Sequence, residues 1–264
     1  MNKILVPVDF SDTSKNALLY ATKLFGKAPL EITVLHIYGT TSTALLMKSI
    51  DSILIEDAQR NLKLLLDEVK KEAPNVSFKT KLSKNYAVST ITSLGDSGTY
   101  NFIVMGTKGA SGLKEVFIGS VAGGVISKTK APVIVVPSDY NYNEIKEIVF
   151  AISNHPVSDK KVIDPLLNIR DMHTSNLEVL HISKEESTNI KNVLSNIGNL
   201  NATIKHKSGS GNLNEHLNDY IKDNNTDLLC LLRGEKDFID RLLKDSVTLK
   251  QTFNSAVPLL ILHS

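Results

Sequence analysis

The second half of this chain rewrites the first, and that repetition limits the possible folds more than any other feature. Val34-Leu35-His36-Ile37 recurs letter for letter as Val179-Leu180-His181-Ile182. Four matching residues can arise by chance, but two longer matches share a single offset. Ala131-Pro132-Val133-Ile134-Val135-Val136 falls on Val257-Pro258-Leu259-Leu260-Ile261-Leu262, and Phe102-Ile103-Val104-Met105 falls on Leu228-Leu229-Cys230-Leu231. Ser120-Val121 then meets Ser246-Val247 without a gap, and the opening Lys3 to Val8 corresponds to Glu147 to Ile152. A length of 264 residues allows one large domain or two ordinary ones. The repeat favours two, residues 1–140 and 143–264, with the boundary in the polar segment Ser138 to Tyr142.

Each unit alternates strand and helix. Ile4 to Val8 is a short apolar run followed by Asp9-Phe10-Ser11-Asp12, which are turn and helix-cap types. Ala17, Leu18, Ala21, Leu24 and Phe25 then recur at helical spacing, and Ile32 to Ile37 is strand-like again. A long amphipathic helix is predicted from Ser49 to Ala73, stopped by Pro74. A strand near Val76 to Leu82, a helix near Val88 to Leu94, the strand Phe102 to Met105, a helix from Ser120 and the strand Val133 to Val136 complete the unit. The expectation is an α/β protein of two tandem, doubly wound, open parallel-sheet domains, Rossmann-like in architecture.

Composition excludes several classes of function. Thirty Lys+Arg against 28 Asp+Glu leave a net charge of +2, without the concentrated basic surface of a nucleic-acid binder. The single cysteine, Cys230, sits in the apolar run Leu228 to Leu232, where a buried strand residue is expected and a catalytic thiol is not. The sequence enters Lys3-Ile4-Leu5-Val6 without a charged leader, and no apolar run reaches membrane length. A cytoplasmic protein that engages neither membrane nor nucleic acid is the expectation.

Met105 to Ser120 carries the chemistry. It lies between a strand and a helix, and in an open parallel sheet ligands bind beyond the carboxyl ends of the strands. Glycines there permit close backbone approach, and a helix N-terminus offers unpaired amides to an anion such as phosphate. The alternative is that Gly106 and Gly109 form a tight turn and Gly119 ends a helix. Neither a Walker A pattern nor a full dinucleotide fingerprint is present, since Gly209-Ser210-Gly211 lacks a third glycine.

Gly106, two residues, Gly109, nine residues and Gly119-Ser120 together resemble the ATP-binding motif of the universal stress protein family. The opening Ile4 to Ser11, the strand end Leu35-His36-Ile37 and the closing Ala131 to Pro137 resemble that family too, so the likeness covers nearly all of the first half. It implies that the fold is of the adenine nucleotide alpha hydrolase-like kind, that Asp9 hydrogen-bonds the adenosine end, that Pro7, Val8 and Ile37 border the base, and that Gly106, Gly109, Gly119 and Ser120 surround ribose and phosphates. Met105 and Val121 flank these positions, and Lys108 could neutralise phosphate charge, although an exposed lysine is usually only solvated. The implied ligand is ATP, ADP or AMP, with Mg²⁺ carried by the phosphates and no metal site of the protein's own. Asp9 could instead cap the following helix, a role open also to Ser11 and Asp12. His36, repeated as His181, reads as a structural histidine with a satisfied ring.

In the second half, Gly106, Gly109 and Gly119 become Leu232, Glu235 and Asp245, and Asp9 becomes Ser153; only Ser246 survives. Side chains would fill the phosphate space and two carboxylates would repel a nucleotide. Gly234 could stand in for Gly106 if the loop shifted by two residues, yet the other losses remain. The expectation is one competent site per chain, with the second domain docked on the first as separate family subunits pair. A homodimer and an unknown protein partner also stay open. The leading function is a non-enzymatic, nucleotide-dependent stress or signalling protein without catalytic residues. The alternatives are a slow ATPase or phosphoryl-transfer enzyme, and a nucleotide-free interaction module.

Overall fold

The computed structural model describes residues 1–38, 48–107, 119–152, 157, 159–183, 200–208, 213–233 and 255–263. In the first half β1 (Asn2–Val8), α1 (Asp12–Phe25), β2 (Leu30–Ile37), α2 (Lys48–Glu72) and β3 (Ser77–Ser83) lead to α3 (Ala87–Gly95). β4 (Phe102–Gly106), α4 (Ser120–Lys128) and β5 (Val133–Val136) close it. In the second half β6 (Glu147–Ile152), a 3₁₀ turn (Lys160–Val162), α5 (Asp164–His173), β7 (Asn176–Ser183) and β8 (Thr203–Ser208) come first. α6 (Leu213–Asp223), β9 (Leu228–Arg233) and β10 (Leu259–His263) follow.

The ten strands of the described residues form one sheet in the order β3-β2-β1-β4-β5-β10-β9-β6-β7-β8. Each half is parallel throughout, and the halves join where β5 pairs antiparallel with β10. The sequence repeat is also a repeat of register. Val8 pairs with His36 as Ile152 pairs with His181, Ile4 with Phe102 as Ile148 with Leu228, and Gly106 with Val136 as Leu232 with Leu262. Even the join obeys the offset of 126 residues: Ile134 pairs with Leu260, its own counterpart, so a pseudo-two-fold axis passes through that pair.

Strand alternation sends side chains into two apolar layers. Ile4, Val6, Phe102 and Val104 pack on one face with α1, α2 and α5; Leu5, Ile103 and Met105 pack on the other with α3, α4 and α6. Each fully buried Leu, Ile or Val contributes roughly 1.5–3 kcal/mol before chain entropy is counted. Cys230 belongs to the first layer and is fully buried, and burial pushes its thiol well above the usual range, in keeping with a packing role. The polar linker is pinned in place. The Asn16 side-chain amide donates to the carbonyls of Pro137 (3.3 Å), Ser138 (3.5 Å) and Tyr140 (3.0 Å), while Tyr140 and Tyr142 both stand edge-on to the buried Tyr20 ring. Across the two halves, His173 Nε2 donates to the Leu24 carbonyl at 2.8 Å.

Candidate functional site

From β1 the chain runs outward to β2 and β3, then returns to the other side of β1 as β4. Between β1 and β4 lies the crevice where two crossovers diverge, the position at which open parallel sheets take ligands. A pocket of about 330 Å³ opens there, at the carboxyl ends of β1, β2 and β4.

Of the eleven residues the sequence nominates, nine line this pocket. Pro7, Val8 and Asp9 come from the end of β1, Ile37 from β2, and Met105 and Gly106 from β4. Gly119, Ser120 and Val121 come from the start of α4. Lys108 and Gly109 lie outside the described residues, as do Ser153, Gly234, Glu235, Asp245 and Ser246 of the second half.

Asp9 is exposed at the rim and also shapes the turn. Its Oδ1 accepts from the Ser11 amide (3.1 Å) and the Ser11 hydroxyl (2.5 Å). Ser11 Oγ in turn accepts from the Ser14 amide at 3.2 Å and is the N-cap of α1. Ser11 is therefore the cap, and Asp9 holds it. Phe10 between them has φ 65°, an uncommon conformation for a bulky residue, and its ring lies 4.2 Å from that of His36. His36 Nδ1 is 2.9 Å from the Val8 carbonyl, so the histidine ties β1 to β2 as a structural residue.

Gly106 needs to be glycine for a reason the spacing does not reveal. Its φ lies outside the left-handed region, but a Cβ would meet Thr13 Cγ2 at 2.5 Å and the Thr13 carbonyl oxygen at 3.0 Å. The missing side chain lets the first turn of α1 press on the strand end. In the second half the corresponding helix begins much later, Asp164 being twelve residues past Ile152 where Asp12 is four past Val8. A side chain fits at Leu232 where none fits at Gly106, and it joins the same apolar layer as Val157 and Ile163.

At the other wall, Gly119 caps α4 with φ −58° and ψ 162°, and its amide donates to the Thr107 carbonyl. The next amides, at the positive end of the helix, have no intrahelical acceptor, and they belong to Ser120 and Val121, which line the pocket. Thr107 is 6% exposed and its Oγ1 has no hydrogen-bond partner among the described residues. Asp9 is the one ionisable side chain among the described lining residues.

Six lining residues went unnamed at the level of sequence: Ser14, Leu35, Ala87, Ile91, Thr107 and Ala122. Two were within reach, because period-two alternation places Leu35 beside Ile37 and Thr107 beside Met105. Ala87 and Ile91 share a helical face four residues apart, but only the topology shows that α3 reaches this crevice.

Residues 1–137 match the universal stress protein family. Universal stress protein MJ0577 of Methanocaldococcus jannaschii is 30% identical over 153 residues, spanning 51% of this chain and 93% of its own length. Universal stress protein YxiE of Bacillus subtilis is 32% identical over 145 residues, 51% of this chain and 98% of its own. Among solved structures, a universal stress protein from Archaeoglobus fulgidus covers 98% of this chain and 95% of its own, with a TM-score of 0.70 at 19% identity, a likeness of fold across both halves.

Proposed function

Because the chain belongs to the universal stress protein family, we propose that its first half binds ATP or a related adenine nucleotide at the β1–β4 crevice. On this reading the protein is a nucleotide-dependent stress-response or signalling protein and not an enzyme. The observation that carries the reading is the division of one pocket into two chemistries. Val8, Leu35, Ile37, Ile91 and Met105 supply an apolar slot suited to a flat base, while the exposed Asp9 carboxylate at the rim suits hydroxyl or amine donors. Opposite them, the N-terminus of α4 with the Ser120 hydroxyl suits phosphate, an interaction of about 1 kcal/mol or somewhat more. At about 330 Å³ the pocket is at the small end of the ~300–1,000 Å³ range for ligand sites, which suits a nucleoside with its phosphates extending outward. Mg²⁺ bound to those phosphates would neutralise charge that the described lining residues do not.

A lone carboxylate that already holds Ser11 is a poor general base, which favours binding over turnover. The second half, with Leu232 filling the strand end, takes the role of a docked partner without nucleotide. Occupied and empty states of the first half would then present different surfaces to a protein partner. Calorimetric titration of ATP with Mg²⁺ into nucleotide-free protein tests this. A stoichiometry near one per chain is expected; no heat of binding refutes the reading, and steady multiple turnover abolished by Asp9→Ala refutes its non-enzymatic part.

A further inference from the structure

Arg233 ends β9 and occupies, at the offset of 126 residues, the place of Thr107 in the first half. Its side chain crosses the join between the halves, and Nη1 donates to the Ile126 carbonyl at 2.8 Å. Ile126 lies in the last turn of α4, where carbonyls lose their intrahelical partners. The amide that would have served it, that of Lys130, donates instead to the Asp96 carboxylate at 2.7 Å. Arg233 therefore caps the negative end of the helix whose positive end borders the pocket.

The surroundings reinforce this bond. Asp96 closes α3 and also accepts from Thr129 Oγ1 at 2.7 Å and the Ala131 amide at 3.3 Å, binding the ends of α3 and α4 into one corner. His263 of β10 pairs in register with Arg233 and feels both its charge and that of Asp96. The second half thus sets a cation against the far end of α4, whose other end, at Ser120, walls the pocket, while Asp96 joins that corner to the end of α3.

We propose that Arg233 is a positioning residue for the nucleotide site: by capping α4 from the second half it holds the N-terminal turn of that helix in the geometry that receives phosphate. This rests on the nucleotide reading above. α4 has nine residues, about two and a half turns, and a helix that short depends on its surroundings to stay formed. Nucleotide that requires the formed first turn binds more weakly in proportion to the fraction of chains in which that turn is lost. By reciprocity, nucleotide bound to the first half tightens the hold on Arg233, so the half that lost its own site reports on its neighbour's.

The experiment compares ATP with Mg²⁺ and adenosine as ligands for full-length wild type, Arg233→Met and Arg233→Lys, by calorimetry, with the fold of each checked by circular dichroism. Methionine keeps an unbranched stem but removes donor and charge. Arg233→Met is expected to bind ATP about three- to ten-fold more weakly, from the strength of a charge at a partly buried helix end, and adenosine within about two-fold of wild type. Arg233→Lys should recover part of the ATP affinity. Unchanged ATP affinity in Arg233→Met overturns the proposal, as does an equal loss for ATP and adenosine, which would mark general destabilisation. Wild type that binds neither ligand refutes the nucleotide reading itself.

Discussion

Replacing Gly106 by alanine probes the junction of β4 and α1 with a single methyl group. The new Cβ would sit 2.5 Å from Thr13 Cγ2 and 3.0 Å from the Thr13 carbonyl oxygen. The first clash can be relieved by rotating a side chain, but the second can be relieved only by moving the first turn of α1. That helix is anchored by Ala17, Leu18, Ala21, Leu24 and Phe25, all fully buried, so it yields at a cost. Overpacking of this kind destabilises by about 1–3 kcal/mol. At ~2–4 °C per kcal/mol for a chain of this size, the melting temperature should fall by roughly 2–12 °C. Thr13→Ser removes the Cγ2 clash and leaves the backbone one, so the double variant should recover part of the loss, with a coupling energy on the order of 1 kcal/mol. Thermal and urea unfolding of the four proteins measures that cycle. Calorimetry on the same four should show weaker nucleotide binding wherever the first turn has moved, because Ser11 and Asp9 move with it. Gly106→Ala unfolding like wild type, or Thr13→Ser failing to relieve it, refutes the close-approach account.

Gly119→Asp installs the residue found at the matching place in the second half. Gly119 has φ −58° and aspartate is a good N-cap, so stability should stay within about 1 kcal/mol of wild type while ATP binding drops at least about ten-fold from charge repulsion; undiminished affinity refutes the assigned phosphate position. His263 is pushed down to about 4, chiefly by burial and then by the Arg233 charge, against the opposing pull of Asp96. Its folded value lies below its unfolded one, so the unfolded chain takes up the proton first. The contribution to stability is complete above about 6.5 and is lost as pH falls from there towards 4, so urea midpoints should decline across that window less steeply in His263→Gln. Equal slopes would exclude His263. Asn16→Ala removes the donor shared by three linker carbonyls and should cost about 1–2 kcal/mol and speed proteolysis between Pro137 and Asn143; an unchanged cleavage rate would show that the tyrosines alone hold the linker.

The legible parts of this molecule are those set by period and offset. Val34 to Ile37 and Val179 to Ile182 repeat because both are the second strand of a half, held in the same register against the first, with His36 tying β2 to the end of β1. The long helix stops at Glu72 just ahead of Pro74, and strands β1, β4 and β5 fall where apolar runs place them. What periodicity cannot give is the partner of a residue distant in sequence. Thr13 behind Gly106, Asn16 beneath the linker, and Ala87 and Ile91 on the pocket wall all depend on how elements cross, and nothing in their local sequence marks them. Asp9 shows the limit differently. The residue type was right for both a rim carboxylate and a helix cap, and its position two residues before Ser11 makes it the support of the cap.

The join between the halves also explains why the second could lose its glycines without losing the fold. A pseudo-two-fold axis through Ile134 and Leu260 uses the same edge of each half, so the contact is closed and cannot propagate. The outer edges, β3 and β8, carry Lys79, Lys81 and Lys205, charges that discourage further strand addition. Lys79 reaches Glu31 at 2.8 Å and Lys205 reaches Glu178 at 2.7 Å, each across to the neighbouring strand. With sheet edges settled in this way, the strand-end positions of the second half are free to change. Leu232 adds to the core where Gly106 had to yield to Thr13, and Arg233 gains the Ile126 carbonyl where the Thr107 hydroxyl finds no partner among the described residues. The first replacement adds apolar packing within the second half, and the second adds a hydrogen bond across the join. Where the first half leaves a crevice at its strand ends, the second half adds apolar packing of its own and a polar tie across the join.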